Sequence, residues 1–235
     1  MIFATNFKTN NTRAYTKEYI QTLKEFVLKN DIKDDIFVFP TSTALDVFEV
    51  PSNIRVGVQN AYPVQNGSYT GEIGLEQIDE FGLKSILIGH SERRVILKES
   101  QELIVEKFNY FKERGFEIIY CIGEPKEIRD EGVHSAMEYL WSEFDGIDIE
   151  YEKLIVAYEP IWAIGTGVSA KKEDIDEILS NLRARIKSPL LYGGSVKSSN
   201  IEEIESIKDC DGVLVGSASW KVESFCEIIK NGIKG

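Results

Sequence analysis

The segment Leu154–Glu159 reads LIVAYE: it is apolar or aromatic as far as Tyr158 and then ends on a carboxylate. A second run of this kind, Ser85–Gly89, has Ile-Leu-Ile at its centre. Continuous apolar runs are typical of parallel strands with both faces buried, whereas strands with one face in water alternate apolar and polar residues. These two segments therefore indicate a parallel sheet that is covered on both sides.

Other short segments of the chain have the same character. Together the predicted strands are Ile2–Phe7, Ile36–Phe39, Ile54–Gln59, Ser85–Gly89, Glu117–Ile122, Leu154–Glu159, Leu190–Gly193 and Gly212–Gly216. Between them, apolar residues recur at helical spacing, most clearly within residues 15–27, 104–111 and 175–186. Alternating strands and helices predict a parallel sheet built with right-handed crossovers.

Eight strands within 235 residues favour one α/β domain over residues 1–235. We expect a closed (β/α)8 TIM barrel, with eight parallel strands ringed by helices. A doubly wound open sheet is the alternative. A dinucleotide-binding sheet of that type carries a glycine-rich turn after its first strand, but residues 6–10 are NFKTN here. The sequence therefore favours the barrel.

Composition narrows the class of function. Hydrophobic residues make up 43% of the chain and the formal net charge is -12. Such an acidic chain disfavours nucleic acid or an anionic membrane as a partner, so a phosphate ligand would have to be held locally by backbone amides and helix ends. The cysteines, Cys121, Cys210 and Cys226, form no CxxC pair. We expect a cytoplasmic protein with no signal peptide and no membrane span.

Residues that can carry chemistry stand at the predicted strand ends. They are Asn6 and Lys8, His90, Glu159, Gly193-Gly194-Ser195, and Gly216-Ser217. In a (β/α)8 barrel the active site lies at the carboxyl ends of the strands, so these residues would share one rim. Lys, His and Glu offer a cation, a proton-transfer group and a base, and small residues let amides approach a phosphate. Each has an ordinary structural role when taken alone; Arg93 and Arg94 nearby could simply be a solvated pair.

Longer segments resemble one enzyme family. NFK at residues 6–8, GHSERR at 89–94, YEPIWAIGTG at 158–167 and YGGSV at 192–196 look like the hallmark segments of triosephosphate isomerases. QNA at 59–61, TGE at 70–72 and CIGE at 121–124 are similar to further segments of that family. The resemblance covers nearly the whole chain. It implies the (β/α)8 barrel and the interconversion of dihydroxyacetone phosphate and D-glyceraldehyde 3-phosphate, with no cofactor and no metal.

The resemblance also implies the catalytic roles. Glu159 would be the base that removes a carbon-bound proton beside the carbonyl and so forms an enediolate. His90 would be a neutral electrophile, Lys8 an electrostatic stabiliser, and Asn6 would orient Lys8 and the substrate. Glu92 is a possible secondary acid or base.

A phosphate site and a lid are implied in the same way. The substrate-binding residues would be Asn6, Lys8, Gly165, Ser195, Gly216 and Ser217. Residues 160–170 would close over the phosphate and exclude water, with Trp162 as the apolar anchor and Tyr192 and Ser195 holding the closed lid. The chain departs from the common family pattern at Phe7, usually Trp, at Val168, commonly Lys, and at Ser217, usually Gly.

The third loop, Ala61–Ile73, resembles the projection that enters a second subunit in this family. The resemblance therefore implies a homodimer, in which Thr70 of one subunit supports Asn6 and Lys8 of the other. Thr9 replaces a bulkier residue that is often found in the contacted pocket. A flexible surface loop is the ordinary interpretation of such a segment.

Two other functions fit some of the residues. Another phosphate-binding barrel isomerase, such as one acting on a phosphoribosyl amine, would share the loops after the seventh and eighth strands. That function does not account for Lys8, His90, Glu159 and the lid together. A non-catalytic barrel scaffold is the second alternative, but Asn6, Lys8, His90 and Glu159 are all present, which speaks against lost chemistry.

Overall fold

A computed structural model describes residues 1–163 and 170–233, and these include eight parallel strands in one sheet. The strands, β1 to β8, are Ile2–Asn6, Asp35–Phe39, Ile54–Val56, Ser85–Ile88, Glu117–Ile122, Leu154–Tyr158, Leu190–Tyr192 and Gly212–Val215. Each lies within a predicted strand or within one residue of it. Only β3 is markedly shorter than predicted, since it ends at Val56 rather than at Gln59.

The sheet closes into a barrel between β3 and β4. Its ladders run in the order β3-β2-β1-β8-β7-β6-β5-β4, which leaves β3 and β4 at the two ends. Beyond β3, the Val58 amide donates to the Ser85 carbonyl at 2.9 Å and the Leu87 amide donates to the Val58 carbonyl at 3.0 Å. A Cβ at Gly57 would lie 2.5 Å from that Ser85 oxygen, so the close approach requires glycine. The barrel, rather than the open sheet, is therefore confirmed.

Helices surround the barrel. In the described residues α1 to α9 are Arg13–Lys29, Leu75–Asp79, Ser91–Val95, Gln101–Lys112, Lys126–Asp130, Val133–Ser142, Lys172–Arg183, Ile201–Glu205 and Val222–Gly232. The predicted apolar stripes bury their faces in α1, α4 and α7. Strand β2 is an exception to the alternation, because only a short 3-10 helix, Ser42–Ala44, follows it. No described helix has the length and apolar character needed to cross a membrane.

The core has two layers. The barrel interior is filled by side chains that point inward from the strands, including Ala4, Phe37, Leu87 and Ile155. The larger layer lies between the strands and the helices, and alternation along each strand separates the two. Phe7 belongs to the outer layer, where it is fully buried against Tyr19 with ring centroids 4.7 Å apart. This position keeps the Phe7 side chain away from the carboxyl rim.

Candidate active site

Lys8 stands directly after β1 and is held in an unusual backbone conformation. Its φ is 52°, in the left-handed region that costs a non-glycine residue roughly 1–2 kcal/mol. Two side chains hold it there: Asn6 Oδ1 accepts from the Lys8 amide at 2.9 Å, and Gln59 Nε2 donates to the Lys8 carbonyl at 2.9 Å. Lys8 Nζ pairs with Glu92 Oε1 at 2.7 Å. The cation is thus fixed at the mouth of the barrel.

His90 and Glu159, which are far apart in sequence, are brought into contact. Both side chains are buried, and His90 Nε2 lies 3.1 Å from Glu159 Oε1. Glu159 Oε2 accepts from the Ser91 amide at 3.3 Å. Since β4 and β6 end at the same rim, the residues that follow them meet there. The predicted cation, proton donor and carboxylate therefore form one cluster.

The hydrogen bonds specify which nitrogen of His90 carries the proton. His90 caps the amino end of α3, and its Nδ1 accepts from the Glu92 amide at 3.2 Å. An accepting nitrogen has a free lone pair, so the proton of the neutral ring lies on Nε2, which donates to Glu159. A second proton on Nδ1 would face the positive end of the helix.

The two buried groups shift each other's pKa. Burial acts to raise the pKa of Glu159, but the charge and hydrogen bond of His90, the Ser91 amide and Lys8 outweigh it, and the pKa is lowered. Burial acts to lower the pKa of His90, yet Glu159 outweighs it and the pKa is raised while the two groups touch. Glu159 is thus a carboxylate at neutral pH.

A cavity of about 480 Å³ lies above this cluster. Its lining includes Asn6, Lys8, His90, Glu159, Ser195, Gly216 and Ser217. Leu214 and Trp220 also line the cavity, and no sequence signal had marked them. The structure therefore brings together every predicted site residue that it describes; Gly165, Gly167 and Val168 lie outside the described residues.

Glycines allow the seventh and eighth loops to approach the site closely. A Cβ at Gly193 would lie 2.7 Å from Glu159 Cγ, and one at Gly216 would lie 3.3 Å from Lys8 Cε. Ser217, where the family usually has glycine, opens the 3-10 helix Ser217–Ser219 and does not have a positive φ. Its side chain is therefore compatible with the backbone there.

The side chains at the start of the predicted lid are anchored by a buried carboxylate. Glu124 Oε1 accepts from Tyr158 Oη at 2.9 Å and from Trp162 Nε1 at 3.0 Å. Burial raises the pKa of Glu124, while the two hydrogen bonds partly offset that rise. At the far end of the predicted lid, burial raises the pKa of Tyr192 to about 12, and the nearby backbone of Ala170 and Ser195 acts in the opposite direction.

Sequence reasoning missed the group that lies behind the site. Arg94 is not a solvated residue: it is nearly buried, and its Nε donates to the Gly89 carbonyl at 2.7 Å. Its partner Glu143 lies in a distant helix-loop segment and was not marked by any motif. The one sequence signal for burial of Glu143 is its apolar neighbourhood, since residues 140–144 are LWSEF. In residues 1–163 and 170–233, no cluster of His, Cys, Asp or Glu side chains is arranged to hold a metal ion.

Comparison with known proteins gives one consistent result. The sequence model of a family described as triosephosphate isomerase matches residues 1–232. The chain is 57% identical over 229 residues to the triosephosphate isomerase of a Sulfurovum species, covering 97% of this chain and 99% of that protein. It is 54% identical over 230 residues to the protein of the same name from a Nitratiruptor species, covering 98% and 97% of the two chains. The corresponding protein of Wolinella succinogenes is 51% identical, with 98% and 99% covered.

Proposed function

Because this chain belongs to the triosephosphate isomerase family, we propose that it interconverts dihydroxyacetone phosphate and D-glyceraldehyde 3-phosphate with Glu159 as the base. One observation carries the residue assignment: the buried Glu159 Oε1 and His90 Nε2 lie 3.1 Å apart, at a cavity that Lys8 also lines. The unit that catalyses the reaction is a single domain over residues 1–235.

The chemistry needs only groups that the chain supplies. Glu159 takes a proton from the carbon beside the carbonyl, and the electron pair of that C–H bond forms the double bond of an enediolate. His90 Nε2–H donates to the oxygen that gains charge, and the Lys8 ammonium stabilises the same charge. Glu159 then returns the proton to the neighbouring carbon, while the hydroxyl proton passes from one substrate oxygen to the other by way of His90 Nε2, so that the new carbonyl and the new hydroxyl form together. No electrons leave the substrate, so the step balances without an oxidant or a reductant.

His90 acts as a neutral donor during this step. Its pKa is raised chiefly by the charge and hydrogen bond of Glu159, with a smaller contribution from the Glu92 charge, and the Glu159 contact weakens when that carboxylate turns to the substrate carbon. Burial, the Lys8 charge and the Glu92 amide on Nδ1 then all favour the neutral ring. A neutral imidazole holds the oxygen by a hydrogen bond and keeps its Nε2 proton available.

The substrate phosphate is held at the other side of the cavity. Ser195, Gly216 and Ser217 line the space there, and their amides would bind the phosphate. Gly165, in the lid expected at residues 160–170, would add a further amide. Backbone amides bind the dianion through local hydrogen bonds, so the site does not depend on the net charge of the chain, which is -12. Lys8 and Asn6 reach the same space from β1.

The functional unit is a homodimer in the cytoplasm. A cavity of about 670 Å³ beside the site is lined by Thr9, Leu45, Ile96 and Leu97. Ile96 and Leu97 are 70% and 60% exposed, an apolar surface that a second subunit would cover. Within the third loop, Ala61–Ile73, the Tyr62 and Tyr69 rings lie 4.4 Å apart, and this loop would fill the partner's cavity. Thr70 would then lie beside the other subunit's Lys8.

Turnover of D-glyceraldehyde 3-phosphate by the purified protein tests the assignment of the base. Glu159→Gln is expected to lower kcat by about 10²–10⁴-fold, since it removes positioned proton transfer. The matched control is Glu150→Gln, an exposed carboxylate that contacts only Lys187 at 3.3 Å among the described salt bridges. Undiminished kcat in the Glu159 variant would contradict its role, and a folded wild-type protein without turnover would support a non-catalytic scaffold.

Sedimentation at low protein concentration tests the dimer. Ile96→Glu places a charge on the apolar surface and is expected to give monomers with reduced kcat. A wild-type monomer with full activity would refute the dimer as the functional unit.

A further inference from the structure

Glu143 is a buried carboxylate that the reaction above does not use. It follows α6 directly and is only 7% exposed. Its Oε2 accepts from the Gly123 amide at 2.8 Å, and its Oε1 lies 3.4 Å from Arg94 Nε. A single carboxylate thus joins α6 to the loop after β5 and to α3.

The Gly123 contact leads directly to the base. A Cβ at Gly123 would lie 1.9 Å from the carbonyl oxygen of Glu159, so the two backbones are packed without a gap. The Glu159 amide donates to the Ile122 carbonyl at 2.7 Å, which ties the base to the same loop. A displacement of Gly123 must therefore displace Glu159.

The Arg94 contact leads to the electrophile. Arg94 Nε donates to the Gly89 carbonyl at 2.7 Å, and Gly89 immediately precedes His90. Arg94 also donates from Nη2 to Tyr120 Oη at 2.9 Å, so its guanidinium is held from two sides. Glu143 therefore acts on the backbone supports of both His90 and Glu159.

We propose that Glu143 is a positioning residue: by accepting from Gly123 and pairing with Arg94, it sets the distance and angle between His90 and Glu159. The inference rests on the proposed function, in which these two side chains react with the substrate. An error of about 1 Å in the placement of a reacting group can lower a rate by about 10²-fold, so the support has a kinetic consequence.

Burying a charged carboxylate is energetically unfavourable. The contacts of Glu143 compensate for this only in part. Burial raises the pKa of Glu143 to about 7, against the opposing effects of Arg94 and the Gly123 amide. The acceptor oxygen toward Gly123 matters more than the charge, because a neutral side chain of the same length can also accept from that amide. Glutamine and aspartate at residue 143 separate these two properties.

The test measures kcat and KM for D-glyceraldehyde 3-phosphate in wild type, Glu143→Gln, Glu143→Asp and Glu143→Leu, with melting temperature recorded for each. Glutamine keeps the length and an acceptor; aspartate keeps the charge but is one methylene too short to reach Gly123. The stability control is Met137→Ala, a core truncation in the same helix α6.

We expect kcat to fall about 10-fold or more in Glu143→Leu and Glu143→Asp, with KM changed less than about threefold. Glu143→Gln loses only the Arg94 pair and should lose less kcat than Glu143→Asp, and Met137→Ala should stay near wild type. Glu143→Asp keeps a carboxylate beside Arg94, so it provides a second result even where Glu143→Leu does not fold. Wild-type kcat in Glu143→Asp, or equal losses in Glu143→Gln and Glu143→Asp, would overturn the inference. Wild-type protein without turnover would instead overturn the proposed function.

Discussion

Gly123→Ala is the substitution that the geometry of the site tests most directly. The new Cβ would lie 1.9 Å from the Glu159 carbonyl oxygen and 2.7 Å from its carbonyl carbon. Real Cβ contacts begin near 3.0 Å, so one backbone must move by about 1 Å. Movement of either backbone would break a hydrogen bond, because the Gly123 amide donates to Glu143 and the Glu159 amide donates to the Ile122 carbonyl.

The displacement has two expected costs. Overpacking of this kind lowers the free energy of unfolding by about 1–3 kcal/mol. A displacement of about 1 Å at Glu159, the proposed base, is expected to lower kcat by about 10²-fold, which corresponds to about 2.7 kcal/mol of transition-state stabilisation. We therefore expect a folded, less stable variant whose loss lies in kcat rather than in KM.

Thermal unfolding and steady-state kinetics of the same preparation check both effects. Gly82→Ala is the matched control: its Cβ meets no atom within 4 Å, but its φ of +67° makes alanine unfavourable by roughly 1–2 kcal/mol. Because Gly82 precedes β4 at the opposite end of the barrel, the control should lose stability and keep kcat. A Gly123→Ala protein with wild-type kcat would show that the Glu159 backbone is not held as the contact implies.

Three further outcomes are expected. Lys8→Met removes the cation at the mouth of the barrel and should lower kcat by about 10²-fold or more, measured in the same assay. Tyr19→Phe leaves the buried Ser219 carbonyl without the 2.7 Å hydrogen bond from Tyr19 Oη, and urea unfolding should show a loss of about 1–2 kcal/mol with unchanged kcat. Glu143 has a folded pKa of about 7 against 4.5 for the free side chain, so the native state binds the extra proton between these values. The stability of wild type relative to Glu143→Gln should therefore be highest below about pH 4.5 and fall by on the order of 3 kcal/mol as the pH rises to about 7. Thermal unfolding of both proteins at several pH values measures this difference. A difference that does not change with pH would contradict the raised pKa.

The sequence alone determined the strands, the barrel class and the rim on which the candidate site lies. Continuous apolar runs, such as Leu154–Glu159, indicate strands with both faces buried. This signal is local, because it lies within a few consecutive residues. The residues Lys8, His90 and Glu159 could be placed because a parallel barrel brings strand ends to one side, whatever their separation along the chain. The family segments then assigned a role to each of them.

Only the tertiary structure decided the contacts that cross the barrel. The bridge from Val58 to Ile86 that closes the sheet is not encoded by any local pattern. The tautomer of His90 follows from a helix amide and a carboxylate that approach it from different elements. The role of Glu143 could not be predicted from the sequence either, because an acidic residue after a helix is normally solvated. Its side chain is buried here because α3, α6 and the loop after β5 pack around it. Hydrophobic periodicity is short-ranged, whereas a buried hydrogen bond depends on which distant segments the closed barrel brings together.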